Sequence, residues 1–212
     1  MAKITKIITE QIYSAITELF PDAHCELTYD SNFHLLVAIM LSAQTTDASV
    51  NRVTPFLFKR YQTLKELADA PLEDIEELIK YLGLYKNKAK NLKAMATKVM
   101  NDYDGEIPSF QEGLESLPGV GRKTANVYLS EWLKIPRIAV DTHVLRVSNR
   151  LGLANEKDSP NQVEEKLMKL FPQNQWIEMH HKLIFFGRYF CKAKKPECNK
   201  CPLISICKKP ML

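Results

Sequence analysis

The chain has 212 residues, of which 45% are hydrophobic and 25% charged, and this composition excludes a disordered, collagen-like or disulfide-scaffold protein. The longest apolar run, from Leu35 to Leu41, is too short to span a membrane, and the N-terminus lacks the apolar core of a secretory signal. Because neither segment is present, we expect a soluble protein of the cytoplasm. The net charge is +4.

Helical patterns follow one another along the chain. Apolar residues from Ile4 to Leu19 keep helical spacing until Pro21, which predicts an amphipathic first helix. No stretch alternates polar and apolar residues as a strand would, so the sequence predicts roughly ten helices and an all-α fold. Further helix starts are indicated by capping boxes or first-turn prolines, at Thr63 with Glu66, Ser109 with Glu112, Thr54-Pro55 and Ser159-Pro160.

The segment from Phe33 to Ala43 is apolar on nearly every face. Such a helix runs through a core rather than over its surface. No glycine- and serine-rich linker divides the chain, so a second domain would be built from elements distant in sequence, such as the first helix and the last three.

A glycine turn occupies residues 117–125, Leu-Pro-Gly-Val-Gly-Arg-Lys-Thr-Ala, between two helical patterns. The two glycines permit positive φ and close approach of the backbone, and the valine between them anchors the turn in the core. Free amides at the start of the second helix form an anion site suited to a phosphate group. An ordinary helical hairpin with a glycine cap is the alternative, although it does not require a glycine on both sides of an apolar residue. The predicted phosphate-contacting residues are Gly119, Val120, Gly121, Arg122 and Thr124.

The turn resembles the helix-hairpin-helix motif of DNA-binding proteins. Asp141 follows Lys123 by 18 residues, in the segment Ile-Ala-Val-Asp-Thr-His-Val-Leu-Arg-Val that begins at residue 138. The hairpin and this segment together resemble the HhH-GPD family of base-excision DNA glycosylases. The resemblance covers most of the chain, including Leu-Ser-Ala-Gln-Thr-Thr-Asp at 41–47, and is strongest to the members that excise oxidised pyrimidines and cleave at abasic sites.

This resemblance implies catalytic roles for Lys123 and Asp141. A neutral lysine amine can attack the deoxyribose C1′, expel the base and form a Schiff base that permits β-elimination of the 3′ phosphate. Asp141 would accept the lysine proton or stabilise the cationic sugar. Asp141 can equally serve as the N-cap of a helix from Thr142 to Leu151, and one residue can fill both roles.

Positive charge is concentrated in the C-terminal tail. Residues 182–212 contain eight bases and one acid, a net +7, whereas the rest of the chain carries 21 bases and 24 acids, a net −3. Such a patch suits a polyanion, because each neutralised phosphate releases counterions. A solvated lysine-rich terminus is the alternative.

Four of the five cysteines lie within this tail, at Cys191, Cys198, Cys201 and Cys207. The spacing C-x6-C-x2-C-x5-C suits either tetrahedral zinc or an iron-sulfur cluster. Its likeness to the loop of the same glycosylases, and of related adenine glycosylases, implies a [4Fe-4S] cluster. Cys25 lies far from the others and is expected to be a thiol rather than a ligand. The cluster would hold three DNA-contacting lysines in place, Lys192, Lys194 and Lys195.

A damaged base must leave the duplex before it can be excised, and side chains must hold the gap open. The resemblance implies that Gln44 fills the vacated space and that Leu82 is the apolar wedge. A helix C-cap and packing beneath a turn are the alternatives for these two residues. His143 and Arg146 could contact DNA or lie on a helix surface.

Two other functions share part of this pattern, an adenine-mismatch glycosylase and a non-catalytic DNA-binding module. An adenine-mismatch glycosylase shares the hairpin, the aspartate and the cluster but typically lacks the lysine and has a glutamate in the central helix where this chain has Ala38-Ile39-Met40. A non-catalytic DNA-binding module with structural zinc would leave Asp141 unexplained.

We therefore predict an all-α monomer of two helical lobes with a DNA-binding cleft between them. In a bacterium, the protein would be associated with the nucleoid. One predicted domain spans residues 23–135 with the hairpin at 114–133, and the other combines 1–22 with 136–212 and the cluster loop at 191–207. The expected substrate is double-stranded DNA with a damaged pyrimidine or an abasic site, and no membrane is involved.

Overall fold

The computed structural model describes residues 5–211, and every regular element among them is helical, which confirms the all-α prediction. Residues 1–4 and 212, which the predicted domains and first helix included, lie outside the described residues. None of the described helices is both long and apolar enough to cross a membrane. The α-helices are α1 (Lys6–Leu19), α2 (Asn32–Leu41), α3 (Asp47–Arg60), α4 (Leu64–Asp69), α5 (Leu72–Ile79), α6 (Tyr85–Asp102), α7 (Gln111–Glu115), α8 (Arg122–Glu131), α9 (Thr142–Leu151), α10 (Pro160–Leu170) and α11 (Trp176–Phe185).

The chain divides into two compact units. The first, called here the middle unit, is the continuous segment Glu26–Lys134. The second, called the terminal unit, combines the chain up to Cys25 with the chain from Ile135 onward.

Helix α2 forms the centre of the middle unit. Every side chain from Leu35 to Leu41 is buried, as the sequence predicted for this segment. The helix packs against α3, α6 and α8, while α4 and α5 pack on α6. The turn after α2 and the start of α8 are thereby attached to the same core.

The terminal unit has its own core, which joins residues from both ends of the chain. Ile12 and Ile16 of α1 are fully buried there with Val144 of α9 and Leu183 of α11. Beyond α11 the chain makes a π-helical turn at Phe186–Phe190 and a 3₁₀ turn at Cys198–Lys200. These turns bring the cysteine segment onto this core.

Most helix starts follow their local signals. The capping boxes at Thr63 with Glu66 and at Ser159 with Gln162 are present. The box predicted at Ser109 with Glu112 is wrong, because α7 begins at Gln111 after an uncapped Phe110. Pro55 also lies inside a helix rather than in its first turn, because Thr46 caps α3 eight residues earlier than Thr54.

A buried lysine joins α1 to α11 in the terminal unit. The Lys182 side chain is 1% exposed, forms an ion pair with Glu178 and donates a hydrogen bond to Thr17 Oγ1 at 2.8 Å. Tyr13 Oη donates to Glu178 at 2.7 Å. Burial alone would raise the pKa of Glu178, but the hydrogen bonds from Lys182 and Tyr13 hold it below its ordinary value. The stability from this pairing is thus present above the ordinary glutamate pKa and lost as pH falls through the lower folded-state pKa.

The two partners of this pair should differ in their contribution to stability. Glu178→Ala leaves the Lys182 ammonium buried without its counter-ion, and we expect a loss of about 3 kcal/mol in the free energy of unfolding. Lys182→Met keeps the apolar stem and leaves Glu178 hydrated, so its loss should be about 1 kcal/mol. Urea denaturation at neutral pH measures both, and equal losses would contradict this account.

Candidate DNA-binding and catalytic site

The glycine turn joins α7 to α8 in the middle unit. Gly119 has φ +79°, and a Cβ there would lie 2.8 Å from Cβ of Asn91 on α6, so both its conformation and its packing require glycine. Val120 is 5% exposed and anchors the turn in the core, as predicted. Gly121 has φ −99°, which any residue can adopt, and no described atom lies within 4 Å of where its Cβ would be. Packing within the protein therefore explains Gly119 but not Gly121.

Helix α8 begins without a side-chain cap, because its N-cap residue is Gly121. Its first-turn amides depend on water or a bound anion for hydrogen-bond acceptors. Arg122 and Lys123 are exposed in this turn, and Thr124 is half-buried. The start of α8 thus combines open amides with two cationic side chains, the arrangement that binds phosphate groups.

Lys123 is the second residue of α8 and is exposed to solvent. Its ammonium has no hydrogen-bond or ion-pair partner among residues 5–211. The helix fixes the position of its Cα, while the side chain remains available to a ligand. This is the combination of a rigid base and a free amine that a lysine nucleophile requires.

Asp141 caps α9 in the terminal unit, which confirms the predicted N-cap of the helix Thr142–Leu151. A single carboxylate oxygen, Oδ1, accepts both hydrogen bonds, from the amides of His143 and Val144 at 2.8 Å each. The other oxygen has no partner among the described residues. The cap therefore uses one carboxylate oxygen, and the second oxygen of this partly buried group remains available to a substrate.

Arg146 serves the protein's own structure. Its Nη2 donates to the carbonyl of Gly187 at 2.7 Å, and its Nε donates to that of Cys191 at 3.3 Å. Burial lowers the pKa of neighbouring His143. The sequence left open a DNA contact or a helix-surface position for Arg146, and the structure shows a partly buried side chain that holds the backbone after α11.

Gln44 and the Leu82 turn both belong to the middle unit. Gln44 is exposed, with φ 54°, in the turn after α2. Leu82 is only 3% exposed, so the assignment of the wedge to Leu82 is wrong, because its side chain is part of the core. Leu84, two residues later, is 58% exposed with φ 60° and is the exposed leucine of this turn. Non-glycine residues at positive φ carry strain of about 1–3 kcal/mol and are concentrated at functional sites.

The four C-terminal cysteines are partly buried and unbridged. Burial raises the thiol pKa of Cys201, and the neighbouring Cys191, Cys207 and Cys198 raise it further, so the four sulfurs lie within electrostatic reach of one another. The backbone amide of Met211 donates to Cys198 Sγ at 3.4 Å. Within residues 5–211, no three His, Cys, Asp or Glu side chains are arranged to hold a single metal ion.

Arg150 on α9 organises the segment that follows Cys191. No local sequence pattern indicates this role. Arg150 Nη1 donates to the Cys191 sulfur at 3.3 Å and to the Lys192 carbonyl at 2.7 Å, and its Nη2 donates to the Ala193 carbonyl at 3.2 Å. Lys192, Lys194 and Lys195 themselves are exposed. The arginine thus holds the backbone while the lysine side chains face solvent.

Comparison with known proteins supplies independent findings. A model of the family described as HhH-GPD superfamily base excision DNA repair protein matches residues 37–173. The chain is 51% identical over 193 residues to endonuclease III of Bacillus subtilis (strain 168), covering 91% of this chain and 88% of that protein. It is 42% identical over 197 residues to endonuclease III of Escherichia coli (strain K12), covering 93% of each.

Solved structures of endonuclease III with DNA also match this chain. A non-covalent endonuclease III–DNA complex matches with a TM-score of 0.94 and 48% identity, covering 97% of this chain and 96% of that chain. A trapped endonuclease III–DNA covalent intermediate matches with a TM-score of 0.92 and 48% identity, covering 97% of each. A thermostable thymine-DNA glycosylase, at 24% identity and a TM-score of 0.87, shares the fold.

Proposed function

This chain belongs to the HhH-GPD superfamily of base excision DNA repair proteins and is a DNA glycosylase, and we propose that it excises oxidised pyrimidines from duplex DNA and then cleaves the strand at the resulting abasic site. The observation that carries the proposal is Lys123, an unpaired amine fixed in the first turn of a helix whose start suits a phosphate. The trapped covalent intermediate of a relative at 48% identity supports a covalent step.

In the proposed reaction Lys123 Nζ forms a bond to the deoxyribose C1′ as the bond from C1′ to the base breaks. The base leaves with the bonding electron pair and takes up a proton, and the attached amine loses a proton. The nitrogen lone pair then forms the C=N bond as the C1′–O4′ bond breaks, and O4′ takes up a proton, which gives the ring-opened iminium, the protonated Schiff base. The iminium then acidifies the C2′ hydrogens, so that loss of one of them expels the 3′ phosphate by β-elimination. The unpaired oxygen of Asp141 accepts the lysine proton or stabilises positive charge on the sugar.

DNA contacts are proposed at three places. The amides at the start of α8, with Gly119, Val120, Gly121, Arg122 and Thr124, hold a backbone phosphate, and the open space at Gly121 allows the phosphate to approach closely. Gln44 fills the space left by the extruded nucleotide. Lys192, Lys194 and Lys195 add charge-dependent affinity.

We also propose that Cys191, Cys198, Cys201 and Cys207 hold a [4Fe-4S] cluster. The donor set fits, because four partly buried thiols lie within electrostatic reach and Cys191 and Cys198 each receive a hydrogen bond at sulfur. Burial raises the thiol pKa of Cys207, and the charge of Arg150 opposes this rise by favouring the thiolate, the form that binds iron. When bound, the cluster supplies a rigid cross-link between the two ends of the lysine segment rather than a chemical step.

We propose that Leu84 is the apolar wedge that enters the duplex. Two leucine variants test this assignment. Leu84→Ala should leave stability within about 0.5 kcal/mol, because the side chain is exposed, but lower excision from duplex DNA roughly tenfold while sparing a single-stranded substrate. Leu82→Ala should cost about 3 kcal/mol of stability through loss of core packing. Thermal unfolding and single-turnover excision measure both, and the reverse pattern would return the wedge to Leu82.

The function itself is tested with a duplex that carries one thymine glycol. The proposal expects release of the damaged base and a strand break 3′ to the lesion, with no cleavage of an undamaged duplex. Base release without a break would indicate a monofunctional glycosylase. Binding without either product would indicate a DNA-binding module.

A further inference from the structure

The last residues that the structure describes, 208–211, return to α9 in the terminal unit and are called here the C-terminal strap. The backbone amide of Lys208 donates to the carbonyl of Arg150, near the end of α9, at 2.9 Å. At the other end of the strap, Arg150 Nη2 donates to the Met211 sulfur at 3.0 Å. A single residue of α9 thus holds the strap at both ends.

The turn after α9 is shaped to receive the strap. Gly152, the C-cap of α9, has φ +74°, and a Cβ there would lie 2.8 Å from Cγ of Lys208. Lys209 forms an ion pair with Glu156, although both side chains are largely solvent-accessible, so the pair adds little to stability. The close contact at Gly152 shows that the strap lies directly against the backbone of this turn.

Two backbone amides of the strap form hydrogen bonds with cysteine sulfurs. The amide of Met211 donates to Cys198 Sγ at 3.4 Å. The backbone of Lys209 donates to the Cys207 sulfur, which opposes the rise of its thiol pKa on burial. Hydrogen bonds to sulfur stabilise negative charge on the thiolate, and in iron-sulfur sites they help to set the reduction potential. The strap therefore acts on the sulfurs themselves as well as on the fold around them.

Cys198 is the cysteine whose surroundings most need such a cover. It begins the 3₁₀ turn Cys198–Lys200 and is partly buried, while both of its sequence neighbours, Glu197 and Asn199, are exposed. Because cysteine oxidation follows exposure of the thiolate, a ligand in this position is a point at which an oxidant can reach a cluster. The Met211 amide lies on this sulfur. The strap thus covers a ligand that its own turn leaves accessible.

We propose that the C-terminal strap is part of the metal site, where it shields Cys198 from solvent and its Met211 amide stabilises the Cys198 thiolate, so that the bound cluster resists oxidation. This inference rests on the proposed cluster. It does not depend on the proposed excision reaction, because neither Lys123 nor Asp141 belongs to the strap.

The first test compares the full chain with a variant that ends at Lys208. Both proteins carry the cluster and are exposed to ferricyanide, and the loss of visible absorption and the release of iron are followed. We expect the shortened protein to lose its cluster about tenfold faster. Equal rates would overturn the proposal.

Urea denaturation without oxidant is the control for this comparison. All four strap residues are exposed, and none belongs to the buried core of the terminal unit. The free energy of unfolding of the shortened protein should therefore stay within about 0.5 kcal/mol of the full chain. A large loss of stability together with faster iron release would assign the effect to unfolding and overturn the shielding role.

Two substitutions separate the Met211 amide from its side chain. Met211→Pro removes the hydrogen that is donated to Cys198, whereas Met211→Ala keeps it and removes the sulfur contact with Arg150. Met211→Pro should lower the reduction potential of the cluster, because the hydrogen bond that stabilises negative charge on the sulfur is missing. Met211→Ala should keep the wild-type potential. Potentiometric titration measures both, and an unchanged potential in Met211→Pro or equal shifts in the two variants would overturn the proposal.

Failure of the cluster assignment would be distinguishable from failure of the strap. A colourless wild type that contains one zinc would remove the proposed cluster itself. Transfer of that zinc to a chelator would then test the strap on the same proteins. Faster transfer from the shortened protein would support the shielding of Cys198, and equal transfer would overturn it.

Discussion

Lys123→Gln is expected to abolish strand cleavage and covalent trapping while the protein remains folded. Glutamine has nearly the same reach and retains hydrogen-bonding capacity, but its amide nitrogen is not a nucleophile. Because Lys123 is exposed and forms no hydrogen bond or ion pair within the described chain, its loss should change stability by less than about 0.5 kcal/mol. Incubation with a thymine glycol duplex followed by borohydride reduction should give a covalent protein–DNA band for the wild type and none for the variant.

Lys65→Gln is the matched charge control for this experiment. Lys65 is an exposed lysine of α4 in the same unit, outside the residues assigned to DNA, and its replacement removes the same charge. The trapped band should persist in this variant. A band of undiminished intensity with Lys123→Gln would assign the Schiff base to another amine and remove Lys123 from its catalytic role.

Cys198→Ala should eliminate the proposed cluster. Loss of one of four ligands leaves an incomplete donor set, and we expect the brown colour and broad visible absorption of the wild type to disappear together with its iron and sulfide. Cys25→Ala is the matched control, because Cys25 belongs to no predicted ligand set, and it should keep the full absorption. A colourless wild type that contains one zinc would contradict the cluster assignment.

The same variant should also weaken DNA binding in a recognisable way. Arg150 would still hold the carbonyls of Lys192 and Ala193, but the segment would lose its covalent attachment at Cys198. If all three lysines then leave the DNA, the slope of log affinity against log salt should fall by about 3. An unchanged slope would show that Arg150 alone holds the lysine segment in position.

The sequence predicted most accurately those features that depend on local chemistry. The nearly continuous apolar pattern from Phe33 to Ala43 identified the buried helix α2, and Asp141 was recognised as a possible cap because it directly precedes a helical pattern. The spacing of glycines around Val120 likewise predicted the turn before α8. In each case the residues that determine the local structure lie within about one or two helical turns of one another, so the sequence pattern contains them.

Features that depend on distant contacts were missed or misassigned. Leu82 and Leu84 differ only by the backbone path around Gly83, and no periodicity shows which of them faces the core. Lys88 reaches Thr45, 43 residues away, and Arg150 reaches Cys191, 41 residues away. The sequence pattern singled out neither residue, because burial by a remote segment is invisible to local patterns.

The discontinuous terminal unit has a consequence for how the protein is made. Helix α1 leaves the ribosome before the other described helices, but the core that covers Ile12 and Ile16 comes from residues after Lys134. At about 5–20 residues per second, the intervening Glu26–Lys134 segment takes about 5–20 s to synthesise, long enough to fold as a unit by itself. During that interval the apolar face of α1 has no partner within its own chain. We therefore expect the nascent protein to be a substrate for chaperones that bind exposed amphipathic helices.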